Sequence, residues 1–151
     1  MTDFWPEKDG LVADGFTVGF CYADHTTITA NYPVTYGTHA ASRLAVDVCA
    51  AIGDGIGVAL KTPVAVGDMI PVCFYGIVKM VVGTTGVGAY IPAIGKYVHS
   101  DANLGVINAQ GGSTNTSTYK LFGGASYVLG IALQTPVAAA DEFLVLVGKC
   151  I

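Results

Sequence analysis

Between residues 56 and 61 the chain alternates large and small side chains, with Ile56, Val58 and Leu60 on one parity and Gly57, Ala59 and Lys61 on the other. A period of two predicts an extended strand, because successive side chains leave opposite faces. The alternation returns at Leu129, Ile131 and Leu133 against Gly130, Ala132 and Gln134. Laid over one another at an offset of 73, residues 57–76 and 130–149 agree at nine of twenty positions. The shared residues are Gly57/Gly130, Ala59/Ala132, Leu60/Leu133, Thr62/Thr135, Pro63/Pro136, Val64/Val137, Ala65/Ala138, Asp68/Asp141 and Val72/Val145. Chance would supply about one or two.

Each copy predicts strand, turn, strand. Thr62-Pro63 and Thr135-Pro136 end the first strand, since proline has no backbone donor and holds the residue before it extended. The second strand restarts at Asp68 or Asp141, with Ile70, Val72 and Phe74 matching Phe143, Val145 and Val147. The large-residue face of the first strand is expected to be core. The other parity of the second strand is hardly more polar, with Met69, Pro71, Cys73 and Tyr75 in one copy and Glu142, Leu144 and Leu146 in the other. A strand apolar on both sides is expected inside a sandwich or at a subunit interface, which makes Met69, Pro71 and Tyr75 candidate interface residues.

Further strands are expected at 16–22, 26–30, 44–50, 77–82, 96–99 and 104–107, separated by turn-forming stretches such as Gly53-Asp54-Gly55 and Gly111-Gly112-Ser113-Thr114-Asn115. Residues 38–52 also allow a helix, with Ala41, Leu44, Ala45, Val48 and Ile52 on one stripe and Thr38 as its cap. A strand from Leu44 is preferred, because Leu44, Val46 and Val48 alternate. Many short strands at this spacing predict an all-β fold, a compact β-barrel or β-sandwich built on a duplicated strand-turn-strand unit. An extended N-terminal arm over 1–14 would precede a single β-rich domain over 15–151. Within the arm, Phe4-Trp5-Pro6 holds the chain's one Trp. An aromatic pair in a polar segment reads as a docking anchor, or as a plug for the chain's own barrel.

Composition sharpens this picture. Only 12% of the 151 residues are charged while 52% are hydrophobic, so disorder is excluded and part of the surface must be uncharged or apolar. Mean hydropathy is +0.57, yet each apolar run is cut well short of the ~18 residues a membrane helix needs. No membrane is expected as a partner. The net charge of -4, with basic residues scattered singly, offers no footprint for phosphate backbones, so direct nucleic-acid binding is not expected either. MTDFWPEKDG lacks the basic and apolar regions of a secretory signal, so the mature protein is expected to start here.

Chemistry is scarce. Cys21, Cys49, Cys73 and Cys150 form no CxxC pair and are expected as buried thiols, with disulfides open in an oxidising setting. Asn115-Thr116-Ser117 fits a glycosylation acceptor but reads as a polar loop. There is no phosphate-binding GxxxxGK[ST], and Gly53-Asp54-Gly55-Ile56-Gly57 reads as a hairpin turn rather than a dinucleotide fingerprint. Ser126 lacks the G-x-S-x-G of a nucleophile elbow. His25, His39 and His99 have no i,i+2 or i,i+4 partner, although Asp24-His25 could meet His99 and Asp101 through folding. Asp141 and Glu142 are adjacent and would point to opposite faces of a strand. No catalytic, cofactor-binding or metal-binding residue is nominated, and the protein is not expected to be an enzyme.

The duplicated segment, GIGVALKTPVAVGDMIPVCFYGIV with the closing YVLGIALQTPVAAADEFLVLV, resembles the small capsid decoration or cement proteins of tailed double-stranded-DNA viruses. The resemblance spans 40–82 and 127–150 and rests on apolar and small residues rather than a catalytic signature. It implies a β-rich structural protein on the outside of an icosahedral virion, bound to the major capsid protein, commonly as a homotrimer, and made in the host cytoplasm. The chain departs from the family at Ala140, where Gly is expected, and in the polar tract 111–118. Two other readings are a fibre or minor shell subunit, and a carbohydrate-binding module using Tyr32, Tyr36, Tyr90, Tyr97, Tyr119 and Tyr127.

Overall fold

A computed structural model describes residues 17–38, 44–49, 55–82, 92–100, 107–109, 129–138 and 140–148. They are all-β, and none of them is helical. The strands are β1 (Thr17–Ala23), β2 (Pro33–Tyr36), β3 (Ala45–Val48), β4 (Gly57–Ala59), β5 (Met69–Val81), β6 (Tyr97–Ser100), β7 (Ile107–Ala109), β8 (Gly130–Ala132) and β9 (Glu142–Val147). The order β1-β3-β2-β4-β5 closes on itself because β5 also pairs β1, giving a five-stranded barrel. β1 and β3 run parallel and the other barrel pairs antiparallel. β9, β8, β6 and β7 continue from the far half of β5.

The repeat seen in the sequence has the same register in both copies. Val58 pairs Cys73 and Ala59 pairs Val72, and 73 residues later Ile131 pairs Leu146 and Ala132 pairs Val145. The duplication also reaches strands whose sequences do not betray it. Val34 faces Gly57 and Val48 in the first copy, as Val98 faces Gly130 and Ala109 in the second. Cys21 opposite Ile70 becomes Met80 opposite Phe143. The amides of Ala23 and Val82 donate to the carbonyls of Asp68 and Asp141, each at 2.9 Å. The chain therefore holds two successive copies of one unit. The first is β1 to β4 with the first half of β5; the second is the rest of β5 with β6 to β9.

Each unit has its own core. Cys21, Ala23, Ile28, Val34, Val46, Ala59, Ile70 and Val72 fill the barrel, with Val48, Ile56 and Phe74 packed at its margin. Val78, Met80, Val82, Val98, Leu129, Ala132, Phe143, Val145 and Val147 form the second core, joined by Val58, Leu60 and Cys73 from the outside of the barrel. The doubly apolar strand is explained in part within one chain: its even face fills the barrel and Cys73 on its odd face helps seal the neighbouring unit, while Met69 and Tyr75 on that odd face stay about half exposed.

Several expectations need correction. The large face of the first strand is core in the first copy, where Val58 and Leu60 are buried against the second unit, but in the second copy Ile131 and Leu133 are only half-buried. The small face is core as well, with Ala59 inside the barrel. Small residues are required there because a Cβ on Gly57 would lie 2.8 Å from Val72 Cγ1, and one on Gly130 would collide with the Leu146 carbonyl. Residues 26–30 are turn and irregular backbone rather than a strand, and Asn31 follows with φ 71°. The strand there is β2, led by Pro33, whose missing donor is tolerated at a strand's first residue. Residues 45–48 are strand, as the alternation of Leu44, Val46 and Val48 predicts, and not helix. Expected strands 69–75 and 77–82 are one run, Met69–Val81. The 1–14 arm and the 111–118 tract lie outside the described residues.

Ala140 answers to Gly67 in the repeat and adopts the same left-handed backbone, φ 67° against 89°. The second turn keeps its geometry at the expense of a strained alanine, since a Cβ there costs about 1–2 kcal/mol. Ala140→Gly is expected to stabilise the protein by about 0.5 kcal/mol, after the added freedom of the unfolded chain, and Gly67→Ala to destabilise it. Urea midpoints of the two variants should move in opposite directions. By the same measurement Ile70→Ala should cost about 2–5 kcal/mol and its exposed neighbour Met69→Ala less than about 0.5, because only one parity of β5 faces the barrel.

Candidate interaction surface

Several of the identities shared by the two copies have local structural reasons. Thr62 Oγ1 accepts the Ala30 amide at 3.0 Å, and Thr135 Oγ1 accepts the Ile94 amide at 2.9 Å. Pro63 and Pro136 are buried. Asp68 Oδ2 accepts the amides of Val64 and Ala65, both at 2.9 Å, and Asp141 Oδ2 accepts those of Val137 and Ala138 at 3.1 and 2.9 Å. Val64 and Val137 have none: 86% and 88% exposed, they are the most exposed of the large hydrophobic residues described. The same valine is presented twice on a turn clamped by the same carboxylate.

The clamp is electrostatically favourable. The Ala65 and Val64 amides hold the Asp68 carboxyl below the usual carboxylate range. A tip braced this way loses little conformational freedom on binding, which favours affinity. The two tips begin at opposite ends of β5, whose 13 residues span at most about 40 Å.

A second exposed apolar area lies on the outer face of the barrel. Phe20 stands opposite Pro71 and Tyr22 opposite Met69. Met69 and Tyr75 are about half exposed, as is Phe20, while Pro71 is buried. Of the residues singled out from the sequence, Met69, Pro71 and Tyr75 thus share one face of β5, and Phe4, Trp5 and Pro6 lie outside the described residues. Leu44, Val66, Tyr36 and Ile94 are also exposed, and only the tertiary structure reveals them. Val64 and Val137 could have been suspected as identities in a turn with nothing nearby to bury them.

The polar candidates are placed separately. His25 Nδ1 meets Asp47 Oδ1 at 2.7 Å on the surface, whereas His99 is buried with Nδ1 2.9 Å from the Ser100 carbonyl. Asp101 and His39 lie outside the described residues. Asp141 belongs to its turn and Glu142 is exposed on β9. Cys21, Cys49 and Cys73 are buried, and burial pushes the Cys21 and Cys73 thiols up to about 11, which keeps them protonated and unreactive near neutral pH. Tyr36 is exposed and Tyr32 and Tyr97 are half-buried; Tyr90, Tyr119 and Tyr127 lie outside the described residues. No protein-family model matches the chain, and a search of curated proteins returns no match.

The Asp68 clamp has a pH signature. Because its folded pKa is depressed, its contribution is complete above the unfolded value of about 3.9 and is lost as pH falls through the folded value. Asp68→Asn should flatten the stability loss below about pH 4, measured by urea unfolding at a series of pH values; an unchanged acid slope would show that the clamp carries no differential charge stabilisation.

Proposed function

We propose that the protein is a capsid decoration protein, a non-enzymatic structural component that binds the outer surface of the mature icosahedral shell of a tailed double-stranded-DNA virus. One observation carries this reading beside the sequence resemblance: an exposed valine on a turn held by an aspartate carboxylate is displayed twice by a duplicated β-unit. Two equivalent apolar contacts on a sparsely charged protein suit a lattice, which offers the same small pocket many times. Each tip adds weak affinity, and multivalency multiplies it across neighbouring sites.

On this reading the major capsid protein is the partner, the decorating form is a homotrimer, and the protein is made in the host cytoplasm and ends on the virion exterior. No residue has a chemical role. Packaged DNA strains the contacts between shell subunits. A ligand that binds only the expanded lattice stabilises it by mass action, by about 2.7 kcal/mol per site when present at a hundred times its dissociation constant.

The test is sedimentation of purified protein with undecorated, expanded capsids. The protein should pellet with the shells at micromolar concentration and raise their melting temperature. Val64→Ser and Val137→Ser should each weaken binding about tenfold with little change in the protein's own stability, since each removes about 1.4 kcal/mol of buried apolar contact. Protein that stays in the supernatant, leaving shell melting unchanged, would overturn the proposal.

A further inference from the structure

The two valine tips are held alike but carry different side chains. Each turn is tied to the same place in its unit, with the amides of Gly67 and Ala140 donating to the carbonyls of Ala23 and Val82 at 2.8 and 3.1 Å. The amides of Asp68 and Asp141 donate back to the carbonyls of Ala65 and Ala138 at 3.2 and 3.3 Å. The copies diverge two residues past the shared valine. The first has Val66 there, 57% exposed, where the sequence of the second has Ala139. Val64 and Val66 thus stand exposed together on the first tip, whereas between Thr135 and Asp141 the second has no large aliphatic residue besides Val137.

The backbone of both tips suits a dry, apolar partner. Burying an amide without an acceptor is costly. The amides of Val64, Ala65, Gly67 and Asp68 already have acceptors within the chain, as do those of Val137, Ala138, Ala140 and Asp141. A partner that recognised the tips through these amides would have to displace the aspartate clamps. An uncharged cleft of aliphatic and aromatic side chains leaves the clamps intact, and its gain grows with the aliphatic area each tip brings.

We propose that the tips are unequal anchors and that Val66 makes the first the stronger. Val64 and Val66 enter an uncharged apolar cleft of the capsid protein together, and Val137 enters the same kind of cleft alone. The inference rests on the decoration reading and adds to it the residue that decides which tip holds the lattice more tightly. Val64 and Val137 give both tips affinity; Val66 gives one of them preference.

Pelleting titrations with undecorated, expanded capsids test it with the full chain, each variant read as a ratio to the wild-type dissociation constant. Val66→Ser and Val66→Thr should each weaken binding about tenfold, the threonine because it keeps the branched shape yet carries a hydroxyl into the cleft. Ala139→Val, which gives the second tip the side chain it lacks, should tighten binding about tenfold, a gain that no folding defect produces. Urea midpoints of the Val66 variants should match the wild type; if one unfolds earlier, Ala139→Val decides. With a wild type that pellets, unchanged binding by stable Val66 variants or no gain from Ala139→Val overturns the inequality of the tips and leaves the decoration reading standing. A wild type that stays in the supernatant overturns the decoration reading and the inequality with it.

Discussion

The structure depends on β5 serving two units at once. Its first half closes the barrel against β1 and β4, and its second half opens the next unit against β9. Ile70 and Val72 are buried in the barrel; Val78 and Met80 are buried in the second core; Cys73 links the two from the opposite face. A strand with these obligations has little room for charge. Lys79 is its one charged residue, and it is exposed. The high mean hydropathy follows from this geometry: fusing two small units through a shared strand turns an outer face into core, so more positions must be apolar than in an isolated barrel of the same size.

The duplication was most legible where both copies need the same atoms. Thr62, Pro63 and Asp68 recur because their turn requires a hydroxyl acceptor, a buried ring and a carboxylate clamp at fixed positions. Other paired positions need only volume of the right order: Cys21 corresponds to Met80, and Ile70 to Phe143. Barrel interiors accept such exchanges when total volume is kept, so the sequence drifts while the register persists. β2 and β6 illustrate the limit, since only Val34 and Val98 agree between Pro33–Tyr36 and Tyr97–Ser100.

Periodicity identified strands well but not which of the two cores each face would fill. Alternation over 56–60 marked β4, whose larger residues Val58 and Leu60 are core as expected but in the second unit, not inside the barrel. In a narrow barrel, closely approaching strands exclude bulk, and Gly57 and Ala59 face inward for that reason. The larger parity was free to pack elsewhere. The exposed surface was hidden for a related reason: half-exposed Phe20 and Tyr75 have the same composition and spacing as buried neighbours. Val64 and Val137 escape this ambiguity because they are identical residues in turns, where no strand face could bury them.

The two kinds of apolar surface differ in how they can be used. The valine tips are small, convex and braced, which fits them to shallow pockets on a partner built independently of this chain. The half-buried leucine face on β8 and β9 is broad, and its counterpart on the first unit already shows what kind of surface can cover it.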